Sequence, residues 1–283
     1  LEMIQTMKDA PFVELKGEKM IGTFQLTENK QAFSTIDVNE LLKYWDEVVE
    51  LSDEAYGFTR GEEGTFGKAN HPIHITNPDS GAGWASATHY RLTFQVDTGA
   101  GNSVLTSGRE NENWGLWHEI GHTYQTPEYI WYEMGEASVN ISAGYISRHY
   151  GFESRWTSSG NARNKVASMK EYIESTEEKH FDEMPYDNDT NLWLKFGMLE
   201  QLAFAYGGEF FKYVSQEYRN LGKISVPSDN DKQQLFMKVT SKVTNRDLTE
   251  FFTKWGLYPN EETRSELSVY HDLEVPIWNN IIY

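Results

Sequence analysis

The sequence predicts an α+β fold in a single module, with a small mixed, β-containing part over residues 1–108 and a mainly helical part over residues 109–283. Three observations carry that expectation. Alternating apolar residues bounded by turn formers recur before residue 96, and apolar residues at helical spacing dominate beyond Asn111. In addition, neither a fixed-period repeat nor a long polar linker divides the chain. The length of 283 residues suits one large domain with a substantial core.

Taken in order, residues 10–15 and 19–26 flank the turn Lys16-Gly17-Glu18 and read as a β-hairpin. Leu41, Leu42, Trp45, Val48 and Val49 fall at helical spacing and predict a helix from Asp37, placed to cap it, to about Tyr56, with Gly57 as its stop. Residues 57–72 hold Gly57, Gly61, Gly64 and Gly67 among charges with no Lys-Ser/Thr pair after them, which reads as a loop and not a phosphate cradle. Residues 73–75 and 90–96, separated by Asn77-Pro78-Asp79-Ser80-Gly81-Ala82-Gly83, are expected as strands of a small sheet. Helical periodicity then covers 113–125, 132–150, 164–180, 191–220, 231–242 and 247–255, broken by loops containing Gly160, Pro185, Gly222 and Pro227. Two acidic runs are not calcium loops. The run Asp187-Asn188-Asp189-Thr190-Asn191 is followed by Leu192 where such a loop needs Gly and by Met198 where it needs Glu, and Ser228-Asp229-Asn230-Asp231 reads as a turn and helix cap.

Composition excludes several function classes. Against 43 acidic residues stand 25 Lys and Arg, and the net charge of −18 repels phosphate backbones and anionic lipid, so nucleic acid is not an expected partner. The absence of Cys removes disulfides, thiolate metal sites and a cysteine nucleophile, leaving His, Asp and Glu to hold any metal. No apolar run approaches the roughly 18 residues of a membrane span. The chain opens Leu1-Glu2, which reads as part of a longer protein with flanking domains beyond it, so a missing leader carries no information.

The chemistry concentrates in Trp114-Gly115-Leu116-Trp117-His118-Glu119-Ile120-Gly121-His122-Thr123-Tyr124-Gln125. Residues four apart on a helix lie one turn apart on one face, so His118 and His122 can turn ring nitrogens toward one ion. Glu119 then stands beside the ion's open position, where it can take a proton from water. Leu116, Trp117, Ile120 and Gly121 give the segment a buried face. A hydrolytic zinc needs a third protein ligand. A third-His plan requires Gly at 125 and His at 128, where the chain has Gln125 and Glu128, and a distant Glu-x-x-x-Asp context is absent. Glu128, in the turn after Pro127, and Glu133 and Glu136, at the start of the next helical segment, are the remaining acids.

Trp117 to Gln125, followed by Gly135-Glu136-Ala137-Ser138-Val139-Asn140-Ile141, resembles the peptidase M60 family of enhancin-like, mucin-degrading metallopeptidases, whose pattern is His-Glu-x-x-His, a short gap, then Glu-x-x-x-Asn-Ile. Weaker matches lie in residues 10–15, 42–46 and 247–256, while residues 70–90 lack a family Gly-Tyr-Pro stretch. The resemblance implies a gluzincin-like fold, one Zn2+ held by His118, His122 and Glu136, and Glu119 as catalytic base. It also implies a secreted or cell-surface endopeptidase, acting as a monomer on mucin-like glycoproteins. The ion would supply an activated water and polarise the scissile carbonyl, and Glu119 would pass the proton to the leaving amine. Tyr124, Tyr129, Tyr145 and His149 are candidate oxyanion donors. Trp114, Tyr124, Tyr129 and Trp131 are candidate substrate contacts, and the indole and phenol rings of Trp114, Tyr129 and Trp131 are suited to stacking on sugars. Asn140, one turn after Glu136, can orient that carboxylate. Two other readings are a glycan-adhesion module with a structural zinc and an enzyme cutting bacterial wall peptide.

Overall fold

The computed structural model describes residues 10–153, 155–156, 165–184 and 189–280. In chain order the elements are β1 (Phe12–Lys16), β2 (Met20–Gln25), α1 (Lys30–Thr35), α2 (Val38–Tyr56), β3 (Thr59–Arg60), β4 (Gly67–Lys68), β5 (Ile73–Thr76), β6 (Ala85–Ala87), β7 (Arg91–Phe94), α3 (Ala100–Val104), α4 (Trp114–His122), α5 (Gly135–Ser138), α6 (Asn140–His149), α7 (Lys165–Glu174), α8 (Asp189–Tyr206), α9 (Phe210–Asn220), α10 (Asp229–Thr244), α11 (Thr249–Trp255) and α12 (Glu261–Leu267). The α+β class follows directly. Two compact units emerge, one from residues 10–53, 58–124 and 145–152, the other from 54–57, 125–144 and the described part of 153–280.

The first unit contains a five-stranded sheet in the order β1-β2-β5-β7-β6, with β1 and β6 antiparallel to their neighbours and β2, β5 and β7 mutually parallel. Period-two alternation decides which face is buried: Met20, Phe24, Ile73, Ile75, Leu92 and Phe94 are all core residues. α2 makes the crossover that parallel β2 and β5 require. Its Trp45 stacks on Phe24 with ring centroids 6.0 Å apart and donates its indole N–H to the Val104 carbonyl at 3.1 Å. Gly22 makes room for that ring, since a Cβ there would come within 2.8 Å of it. Asp37 caps α2 as expected, its Oδ1 accepting from the backbone N–H of Asn39 and Glu40 at 3.0 and 3.2 Å. Residues 57–72 are not wholly loop, because β3 and β4 pair there in parallel. β6 is a further strand, within the stretch between the two expected ones. Strands of two or three residues are too short for alternation to register in a sequence.

The second unit is helical among the described residues. Periodicity over 191–220 resolves into α8 and α9, parted by Gly207 at φ 95° and by Gly208. The expected helix over 132–150 begins only at Gly135, because Glu133 takes a left-handed φ of 59°. Ser228 and Asp231 form a reciprocal capping box at the start of α10. Gly160, Pro185 and positions 187–188 of the rejected calcium loop lie outside the described residues.

Candidate metal centre

α4 is capped by Asn113, whose side-chain oxygen accepts from the Leu116 N–H at 3.3 Å while its amide donates to the Ser103 carbonyl at 2.9 Å. Leu116, Trp117 and Ile120 face the core, and the Trp117 indole donates to the Tyr44 hydroxyl at 2.8 Å. With that face fixed, the 3.6-residue period turns Gly115, His118, Glu119 and His122 onto one stripe. The imidazole centroids of His118 and His122 lie 5.2 Å apart with their planes crossed at 80°. Glu119 is 7% exposed on the same stripe.

A buried polar cluster pins the far end of α4. The Arg60 guanidinium grips Asp53 through Nε (2.7 Å) and Nη2 (3.0 Å), Tyr124 donates its hydroxyl to Asp53 at 2.7 Å, and Arg60 Nη2 donates to that hydroxyl at 2.9 Å. Burial first, then the Asp53 charge, pushes the Tyr124 hydroxyl well above its ordinary pKa, which keeps the donating proton in place. Lys68 sits over the Tyr124 ring, 3.1 Å from its centroid, and donates to the Thr123 carbonyl at 3.4 Å. A cation there complements the negative end of the helix dipole.

Glu136 stands in the first turn of α5. Gln125 donates to the Gly135 carbonyl at 2.6 Å and to Ser138 Oγ at 3.0 Å, and Asn140 donates to the Glu136 carbonyl at 3.0 Å, so the backbone on either side of Glu136 is held. This Asn140 bond meets the main chain of Glu136, one turn back. His118, His122 and Glu136 each offer one ligand atom, and these atoms all lie within 4.8 Å of one another. All three side chains are half-buried. Two imidazoles and a carboxylate suit a borderline divalent ion such as zinc, so the donor set fits the metal that the sequence implies.

The aromatic candidates fare differently. Tyr129 and Trp131 are each 2% exposed, packed around Phe236 with centroid distances of 5.9 and 5.5 Å, and offer no face to a sugar. Tyr124 is equally interior, and its hydroxyl is engaged by Asp53 and Arg60, which removes it both as an oxyanion donor and as a substrate contact. Tyr129 falls as an oxyanion donor on the same burial. Aromatic residues near a motif are core more often than contact surface, and that rule prevailed here. Trp114 and Tyr145 are half-buried and His149 is exposed. Sequence reasoning missed the support that Gln125 gives the backbone beside Glu136. Trp84 rests on Gly115 of the metal stripe.

The family model described as "Peptidase M60, enhancin and enhancin-like" matches residues 2–256. TRPM8 channel-associated factor 2 of Bos taurus is 26% identical over 267 residues, covering 92% of this chain and 27% of that protein. A functionally unknown conserved protein from Bacillus anthracis str. Ames has a similar structure, with a TM-score of 0.83 at 29% identity over 98% of this chain and 55% of the other. A metallopeptidase solved in complex with Tn antigen gives a TM-score of 0.76 at 20% identity over 98% and 55% of the two chains, a likeness of fold. The chain thus spans about a quarter of the bovine relative and about half of each solved chain.

Proposed function

The chain belongs to the peptidase M60 family, and on that premise we propose that it is a zinc-dependent endopeptidase of O-glycosylated, mucin-like extracellular proteins. The carrying observation is the convergence of His118, His122 and Glu136 ligand atoms within 4.8 Å beside a buried Glu119. In this reading the three side chains hold one zinc, and 1–283 is one catalytic module. The bound ion would supply Lewis acidity toward water and the scissile carbonyl. Glu119 takes a proton at its carboxylate and returns it to the leaving amine. A secreted or surface setting agrees with the substrate, and no described helix is long and apolar enough to cross a membrane.

In the test, Glu119→Gln retains one zinc per chain by elemental analysis and loses mucin cleavage. Full cleavage by that variant overturns the role of Glu119. The curated relative is named as a channel-associated factor, which favours a second reading, a zinc-stabilised binding module that cuts nothing. Mucin digestion with and without chelator separates the two, since retention on immobilised mucin without digestion supports the binding module.

A further inference from the structure

Glu136 rides on α5, a helix of only four residues and too short to hold its shape unaided. The Ser138 N–H closes one turn onto the Met134 carbonyl at 2.8 Å, and side chains from outside the helix bind the carbonyls around it. The Tyr56 hydroxyl donates to the Ser138 carbonyl at 3.4 Å, and Asn140 Nδ2 to the Glu136 carbonyl at 3.0 Å. Gln125 does more than either. Its amide nitrogen has two hydrogens and directs both at this turn, one to the Gly135 carbonyl and one to Ser138 Oγ, so it holds both ends of α5 at once. The Ser138 hydroxyl in turn donates to the same Gly135 carbonyl at 3.3 Å, closing a triangle beside the ligand. The backbone that joins Gln125 to His122 is itself fixed, because the Thr123 and Tyr124 N–H groups continue onto the Ile120 and Gly121 carbonyls at 2.9 and 3.0 Å. The chain between Gln125 and Gly135 is fastened elsewhere. Lys232 Nζ donates to the Ile130 carbonyl at 2.8 Å, and Asp229 accepts from the Tyr132 N–H at 3.0 Å. These α10 contacts grip the middle of the connection, whereas Gln125 grips the turn that carries the ligand.

We infer that Gln125 is a positioning residue of the metal centre: it clasps the turn carrying Glu136 to the chain three residues beyond His122, and thereby sets the affinity and geometry of the bound ion. The inference rests on the metal-binding part of the endopeptidase reading. A carboxylate on an unclasped four-residue turn samples many positions, and ligation must then select one of them, which weakens binding.

The experiment reads zinc affinity by competition with a chromophoric chelator, together with the visible absorption of the cobalt-substituted protein, whose bands report coordination geometry. Gln125→Met keeps the length of the side chain and removes both donors. Its zinc affinity should fall about tenfold or more, and its cobalt bands should shift. Lys232→Met, on the same connection but away from the ligand turn, should match wild type in both. Ser138→Ala removes one acceptor and should lose a smaller factor, and the double variant should lose less than the product of the two single losses. Unchanged affinity and bands in Gln125→Met overturn the role. So does an equal loss in Lys232→Met, which would make the effect one of general loosening. Wild type that takes up no zinc defeats the metal-binding reading itself, and the role of Gln125 with it. Far-ultraviolet circular dichroism checks that each variant is folded. Should Gln125→Met fail that check, Gln125→Asn, one methylene too short to reach both acceptors, is judged by the same criteria.

Discussion

Lys195 is a buried ionisable residue outside the metal centre. It is fully buried in α8 and donates to the Phe181 carbonyl at 2.9 Å, with Glu133 and Asp182 supplying nearby negative charge. Burial outweighs those charges and pushes the ammonium down from 10.5 to about 8. Between about pH 8 and 10.5 the unfolded chain therefore holds a proton that the folded chain has released, so stability rises with pH across that window and the full cost is present below it. The span corresponds to about 3 kcal/mol at most. Denaturant unfolding from pH 7.5 to 10.5 should show this rise in wild type and lose it in Lys195→Met. At the same scale, His118, Glu119 and His122 were legible in the sequence because their geometry is local, with the two histidines four positions apart on one helix face. Glu136 was not separable from Glu128 and Glu133 by spacing alone, and only the family pattern singled it out. Trp84 was invisible because its partner, Gly115, lies 31 residues away in sequence but in contact in space.

At the scale of elements, α2 was readable almost to the residue, since Asp37, the apolar stripe and Gly57 are all local signals. What sequence could not supply was the anchorage of α4. The Asp53, Arg60 and Tyr124 side chains come from α2, β3 and the residue two beyond His122, and nothing in their spacing joins them. Removing the cation should strand a buried carboxylate. Arg60→Met is expected to destabilise the fold by about 3–5 kcal/mol. For a chain of 283 residues that is a fall of roughly 5–8 °C in Tm, measurable by calorimetry. Arg60→Lys should recover part of the loss, because one ammonium restores charge but not the two-point grip on Asp53.

For the whole molecule, the net charge of −18 and the three-residue donor set work in the same direction. Folded protein presents converged ligands and unfolded chain does not, so zinc should raise stability by mass action. At free zinc about 100 times the dissociation constant the gain is about 2.7 kcal/mol. Chelation should lower Tm accordingly, and His118→Ala should abolish the zinc-dependent shift while leaving the apo Tm within a few degrees. The α+β class and its progression from strands to helices were readable from periodicity. The two compact units were not, because their boundaries follow contacts that no compositional shift marks.

That division also constrains biosynthesis. Tyr150 and Phe152, which complete the aromatic packing around Trp117, arrive only after residues 125–144 have been made. A ribosome emerging with the sheet and α4 alone carries an incomplete core, whose missing piece lies beyond an intervening stretch assigned to the other unit. Early nascent chains should therefore remain protease-sensitive until about residue 152 has cleared the exit tunnel, and should then gain resistance abruptly.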